Sequence, residues 1–353
     1  MNSFGKKIIK WHHLNGRKDL PWQKNVNPYR VWISEIILQQ TQVKIAIPYF
    51  DSFIERFPNI DSIANSNEDE ILSYWSGLGY YQRARNLYKS AIIMQLKHNS
   101  KVPDNMDSLL DLPGIGRSTA GAILSLGFEK KAPLLDGNVK RVLSRYSGLD
   151  EELNKAKSLN FLWELSENLL PKTNFRTYNQ ALMDLGALVC LKNNPKCYQC
   201  PLSNECISFK EDIVYRIPKT NYKPSKRRKN LKWLILHDKK NNFLLQKNPT
   251  TGIWPGLWSF IEAKDLNALL QPYNGYINKK VKKYNEKIKI DFSHLKLEVD
   301  LYFLYSSKIK IKSKKNQSWI NKKDLPTFGI PGPVLKIIQE VKEYEKESIL
   351  QKI

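Results

Sequence analysis

No apolar run in this sequence approaches the roughly 18 residues of a membrane-spanning helix. Residues 1–14 are interrupted by lysines and hold no apolar stretch of the kind a secretion signal needs. A membrane location is therefore not expected, and a cytoplasmic, nucleoid-associated one is. No repeat recurs at a fixed period, which argues against a solenoid. Acidic residues are short: 34 Asp and Glu face 57 Lys and Arg, a formal net charge of +23. Residues 1–211 hold 27 basic against 21 acidic side chains, and residues 212–353 hold 30 against 13. A polyanionic partner is implied, with nucleic-acid phosphate the default. The plainer alternative is a lysine-rich, solvated surface. Cysteine is scarcer still: there are four, all between 190 and 206. Scattered disulfides would not cluster in this way, so metal or cluster ligation is favoured.

What is present divides in two. Hydrophobic residues make up 41% of the chain, enough for packed cores. Residues 1–211 carry apolar side chains at helical spacing, punctuated by Pro and Gly. One helix start is explicit: Asn27 is a suitable N-cap and Pro28 a suitable first residue. Trp32, Ile33, Ile36 and Ile37 then form an apolar stripe, with Glu35, Gln39 and Gln42 on its polar edge. Residues 212–230 combine proline with the run Lys226-Arg227-Arg228-Lys229 and read as an interdomain linker, either solvated or in contact with DNA. Beyond it the period changes to two. Leu295, Leu297, Val299, Leu301 and Phe303 alternate with polar residues, as in a half-buried strand. Residues 231–247 read as a hairpin turning at 238–242, and a last helix follows Pro333. Residues 231–353 are thus a mixed α+β domain.

The cysteine spacing is Cys190-x6-Cys197-x2-Cys200-x5-Cys206. Four thiolates in a tight loop suit zinc or a [4Fe-4S] cluster, and the uneven gaps fit paired zinc motifs poorly. The same spacing resembles the cluster loop of the endonuclease III/MutY superfamily of DNA glycosylases. That resemblance implies an iron–sulfur loop at 190–206 ligated by all four cysteines. Lys192 and Lys196, within the loop, can present positive charge to phosphate or be ordinary surface lysines. Upstream, Leu112-Pro113-Gly114-Ile115-Gly116-Arg117-Ser118 matches a helix-hairpin-helix, placed at about 106–127. Gly114 and Gly116 permit a tight turn, and the following helix offers backbone N–H groups to a DNA phosphate. Bifunctional members carry lysine at the position of Ser118. A hydroxyl cannot form the required imine, so the resemblance implies a monofunctional enzyme.

Two carboxylates follow. Asp136, in Leu134-Leu135-Asp136-Gly137-Asn138, taken alone reads as a helix N-cap. In the resemblance it is the catalytic aspartate, stabilising an oxocarbenium-like sugar. Adenine leaves poorly unless its ring is protonated, which calls for a general acid of raised pKa. Glu35, in Val31-Trp32-Ile33-Ser34-Glu35, matches the acid of MutY-type adenine glycosylases.

The same resemblance marks Gln40 and Tyr80 as residues that push into the duplex. It marks Trp22, Leu78, Gln180 and Asn138, with Lys18, around the base pocket. Phe292, Ser293 and His294 fall on the loop that senses 8-oxoguanine. The last domain resembles a Nudix fold without the metal-binding Nudix box, so a binding module rather than a pyrophosphatase is expected.

The expected architecture is a mainly α helix-hairpin-helix glycosylase region at 1–211, a linker at 212–230 and a Nudix-like α+β domain at 231–353. The expected function is monomeric excision of adenine opposite 8-oxoguanine or guanine in double-stranded DNA. The alternatives are an endonuclease III-like pyrimidine glycosylase/lyase, disfavoured by Ser118 and Glu35, and a non-catalytic iron–sulfur DNA-binding protein, disfavoured by the intact carboxylates.

Overall fold

The computed structural model describes residues 3–219, 225–273, 281–293, 295–306, 313 and 315–351. The chain forms two compact units. One comprises Met1–Asn65 with Asn86–Tyr222, the other Ser66–Arg85 with Lys223–Ile353. No described helix is long and apolar enough to cross a membrane.

The first unit is helical. Its Pro28–Leu38 helix starts as the sequence predicts: the Asn27 side chain accepts from Arg30 N at 2.9 Å, and Pro28 occupies the first turn. Trp32, Ile33, Ile36 and Ile37 are buried, each worth about 1.5–3 kcal/mol of hydrophobic stabilisation. The end differs from the pattern. Gln40 has a left-handed φ of 56°, which breaks the helix after Leu38. Gln42 therefore leaves the polar edge shared by Glu35 and becomes the N-cap position of the Val43–Arg56 helix.

The hairpin lies between the helices Met106–Leu110 and Arg117–Ala122, and the second runs into a π-turn at Ile123–Gly127. Gly114 has φ 81°, and an added Cβ would stand 2.9 Å from the Asn86 Cβ, so only glycine fits. Gly116 has an ordinary φ of −97° and open space around it. Its lack of a side chain leaves bare backbone at the helix start.

Among the described residues, the second unit is built on a mixed sheet of nine strands. They are β1 (Arg227–Asp238), β2 (Asn242–Lys247), β3 (Trp258–Ser259), β4 (Ile261–Ala263), β5 (Val281–Tyr284), β6 (Ile288–Asp291), β7 (Leu295–Ser306), β8 (Gln317–Asn321) and β9 (Ser348–Gln351). The main order is β3-β2-β1-β7-β5-β9, with β4 on β1, β6 on β7 and β8 on β2. The central β1–β7 pair is parallel. The expected hairpin forms because the Asp238 carboxylate accepts from Lys240 N at 2.8 Å and Asn242 N at 2.9 Å. One sheet face buries Leu234, Leu236, Leu244, Tyr302 and Leu304 against Leu269 and Leu270 of a short helix. The helix after β8 is Gly332–Gln339, with Pro333 in its first turn.

Two features depart from the linear reading. Strand β1 begins at Arg227, inside the stretch that reads as linker, because residues 227–230 pair with β7. Ser66–Arg85 packs with the sheet although it lies within 1–211. Ser76 Oγ donates to the Ile330 carbonyl at 2.6 Å, and Lys247 Nζ reaches Asp69 at 3.0 Å.

Candidate active site

The first unit contains a cavity of about 1050 Å³. Trp22, Glu35, Gln40, Ser118, Asp136, Asn138 and Gln180 all line it, as does Lys18. These residues come from five segments far apart in sequence. Leu78, Tyr80, Phe292 and Ser293 belong to the second unit, and Gly114 and Gly116 form the hairpin turn. His294 lies outside the described residues.

Glu35 sits three residues from the end of its helix, beside the buried stripe. Burial, helped by the Asp136 charge, pushes its carboxyl up to about 8. It is therefore largely protonated at neutral pH.

Asp136 caps the Gly137–Tyr146 helix, so the plain structural role is real: Val139 N donates to Oδ1 at 2.7 Å. Asn138 Nδ2 donates to Oδ2 at 3.2 Å. Burial raises the Asp136 pKa, while these hydrogen bonds and the Arg141 guanidinium oppose the rise by favouring the carboxylate. Two carboxyls in one cavity, one holding a proton and one supplied with donors, are equipped for acid catalysis and cation stabilisation.

Sequence reading missed the cluster that shapes one wall. Asp184 is fully buried and accepts from Arg17 N at 2.8 Å and Arg17 Nε at 2.9 Å. His12 Nε2 stands 3.4 Å from Asp184 Oδ2, and Gln180 Nε2 donates to Asp184 Oδ1 at 3.0 Å. Burial works against the Asp184 charge, but bonds from His12 and Arg17 hold its pKa below the usual value. No local pattern could reveal this set, since 167 residues separate Arg17 from Asp184.

Elsewhere in the same unit, Cys190, Cys197, Cys200 and Cys206 line one small pocket with Val142, Tyr146, Leu202, Phe209 and Val214. No disulfide joins them. Burial pushes the Cys200 thiol up to about 12 and raises Cys197 and Cys206 as well. Among the described residues, no three His, Cys, Asp or Glu side chains converge closely enough to hold a single ion. The buried Arg145 threads the loop. It donates to the carbonyls of Ile217 at 2.8 Å, Leu191 at 2.6 Å and Lys192 at 3.1 Å, and to Cys190 Sγ at 3.4 Å.

Residues 33–168, which carry Glu35, the hairpin and Asp136, match the HhH-GPD superfamily of base excision DNA repair proteins. Residues 232–340 match the NUDIX domain. The molecule is thus a helix-hairpin-helix DNA glycosylase with an appended Nudix-type domain. Its similarity to solved structures agrees: it is 32% identical to a thermostable thymine-DNA glycosylase, with a TM-score of 0.54 over 59% of this chain and 95% of that one. An endonuclease III–DNA complex shares the fold at 22% identity and a TM-score of 0.51, over 60% of this chain and 99% of that one. The adenine DNA glycosylase of Buchnera aphidicola subsp. Baizongia pistaciae is 44% identical over 97% of both chains. That of Buchnera aphidicola subsp. Acyrthosiphon pisum is 43% identical over 96% of this chain and 98% of its own. The chain belongs to the adenine DNA glycosylase family.

Proposed function

We propose that the enzyme excises adenine opposite 8-oxoguanine or guanine by hydrolysis, with Glu35 as general acid and Asp136 as the group facing the sugar. The observation that carries this is the pairing of a protonated Glu35 with a donor-supplied Asp136 in one cavity. Adenine leaves the stack, at a cost of a few kcal/mol. Glu35 gives its proton to the purine ring, and the glycosidic electron pair departs with the base. The Asp136 carboxylate stabilises the resulting sugar cation. Water adds its oxygen to the anomeric carbon and returns a proton to Glu35. Trp22 and Gln180, with Lys18, would hold the base, and Asn138 would orient Asp136. Ser118, on the cavity wall, offers no amine for an imine, which supports a monofunctional enzyme.

Gly114, Gly116 and Ser118 would seat a phosphate at the hairpin. Gln40 and Tyr80 would enter the duplex. Both hold strained left-handed backbones, φ 56° and 48°, of the kind retained at functional positions, and both are exposed. Phe292 and Ser293, with His294, would read the lesion. Phe292 is held by its ring against Trp254 at 5.5 Å and by its N–H to the Leu295 carbonyl at 2.8 Å.

The test is single-turnover cleavage of duplexes holding A opposite 8-oxoguanine, G or T, read with and without alkali. Strand breaks should need alkali and form fastest opposite 8-oxoguanine. Ser293→Ala should narrow the 8-oxoguanine-over-guanine ratio by about tenfold, since a lost hydrogen bond is worth about 1–1.5 kcal/mol. An unchanged ratio would remove this loop from lesion reading.

The four thiols suit a [4Fe-4S] cluster: they ring one pocket without meeting at a point, and the buried Arg145 offsets the charge of bound thiolates. Bound there, the group would supply folding energy to the loop. Purified protein is expected to absorb visible light and to hold about four iron atoms per chain. Zinc alone in the metal analysis would overturn this assignment. We place the enzyme in the cytoplasm, acting on the nucleoid as a monomer.

A further inference from the structure

The basic run at 226–229 is the one strong sequence signal that the catalytic reading leaves unused, and the fold gives it a definite place. Arg227, Arg228 and Lys229 open strand β1, and with Asn230 they are exposed, whereas Leu231 and residues 233–237 are buried. On one side they pair in parallel with β7: Arg227 with Leu295, Arg228 with Lys296, Lys229 with Leu297. The run therefore starts level with the residue that follows Phe292, Ser293 and His294. On its other side, β4 joins β1 at 232–234 and β2 joins it at His237, so among the described residues the edge at 227–230 is open.

The acids nearby are already occupied. Lys226 Nζ lies 2.6 Å from Asp291, which anchors the start of the run to the strand leading into the loop. Glu298 is taken by Lys287, and Asp300 by Lys232 and Lys283. Arg227, Arg228 and Lys229 have no ion pair among the described residues. Three uncompensated cations thus stand together beside the loop proposed to read the lesion. Alternation along the strand puts Arg227 and Lys229 on one face, about 7 Å apart.

We propose that this strand end grips the sugar-phosphate backbone of the DNA strand that carries 8-oxoguanine. The inference rests on the lesion-reading role of residues 292–294 and extends it: the loop reads the base edge, and the neighbouring cations fix the register of that strand without reading sequence. The competing role is protection of an open sheet edge by charge.

The experiment uses the full chain and titrates binding to a duplex with adenine opposite 8-oxoguanine at several salt concentrations. The variant is Arg227→Gln with Lys229→Gln. The control, Lys239→Gln with Lys240→Gln, removes the same charge in the turn just past the far end of β1, some 36 Å away at about 3.3 Å per residue. The 227/229 pair should weaken binding on the order of tenfold and lower the salt slope by about 2, while the 239/240 pair changes affinity less than about twofold. Neutral methylphosphonates beside 8-oxoguanine should weaken the wild type but not the 227/229 variant. Equal losses from both pairs would reduce the run to general attraction. An unchanged affinity with increased aggregation would make it an edge guard. A wild type indifferent to 8-oxoguanine would instead defeat the lesion-reading premise. That result is separate, because it appears before any variant is compared.

Discussion

Asp136→Asn is expected to abolish adenine release, by on the order of 10³- to 10⁴-fold in the single-turnover rate, without loosening the fold. Asp136 has a cap role and a proposed catalytic role, which this substitution separates. As a cap it accepts the Val139 N–H, and asparagine caps helices about as well as aspartate. As a catalyst it must present negative charge to the sugar, and an amide has none. Thermal stability should therefore stay within about 0.5 kcal/mol of wild type, and mismatch binding should persist. Asp136→Ala would lose both roles, adding about 1 kcal/mol of destabilisation. Turnover by Asp136→Asn near the wild-type rate would leave the residue a cap and nothing more.

Glu35→Gln is expected to lower the rate by about 10²- to 10⁴-fold, the usual worth of a positioned general acid. The pH profile distinguishes this from a packing defect. With the Glu35 pKa near 8, the wild-type chemical step should be level through neutrality and fall about tenfold per unit above pH 8, as the proton is lost. Glu35→Gln should show no such limb.

Stability should move the other way. The folded value, about 8, lies above the ordinary 4.5. The protonated side chain therefore favours the fold fully below pH 4.5, and that contribution is lost as pH rises through 8. Gln is neutral throughout. At pH 8.5 the variant should melt a few degrees above wild type while remaining inactive. A variant that is both inactive and less stable at that pH would point to packing, not proton transfer.

Much of this arrangement is legible in the chain because the signals are local. Asn27-Pro28 marks a helix start through cap and first-turn chemistry alone. Gly114 marks a turn that no other residue can make beside Asn86. Four cysteines within seventeen positions mark one candidate ligand set. The period-two stretch 295–303 became the central strand β7. Where the reading slipped, a backbone turn or a distant partner decided. Gln42 left the polar edge of its helix because Gln40 turned left-handed. The basic stretch 227–230 became strand because β7 offered it a partner. The π-turn at Ile123–Gly127 has no counterpart in any spacing rule.

Sequence by itself determined the family, the helix-hairpin-helix turn, the clustering of the cysteines and the two candidate carboxyls, since each depends on residue type at short range. Only the tertiary structure decided that Glu35 and Asp136 share one cavity, and hence that Glu35 holds a proton at neutral pH. It alone joined Arg17 to the buried Asp184, packed Ser66–Arg85 with the sheet, and brought the basic run beside Phe292 and Ser293. The reason is physical. A pKa depends on burial and on neighbouring charge, and strand pairing depends on distant partners. Both are properties of the folded surroundings, which the residue and its near neighbours do not carry.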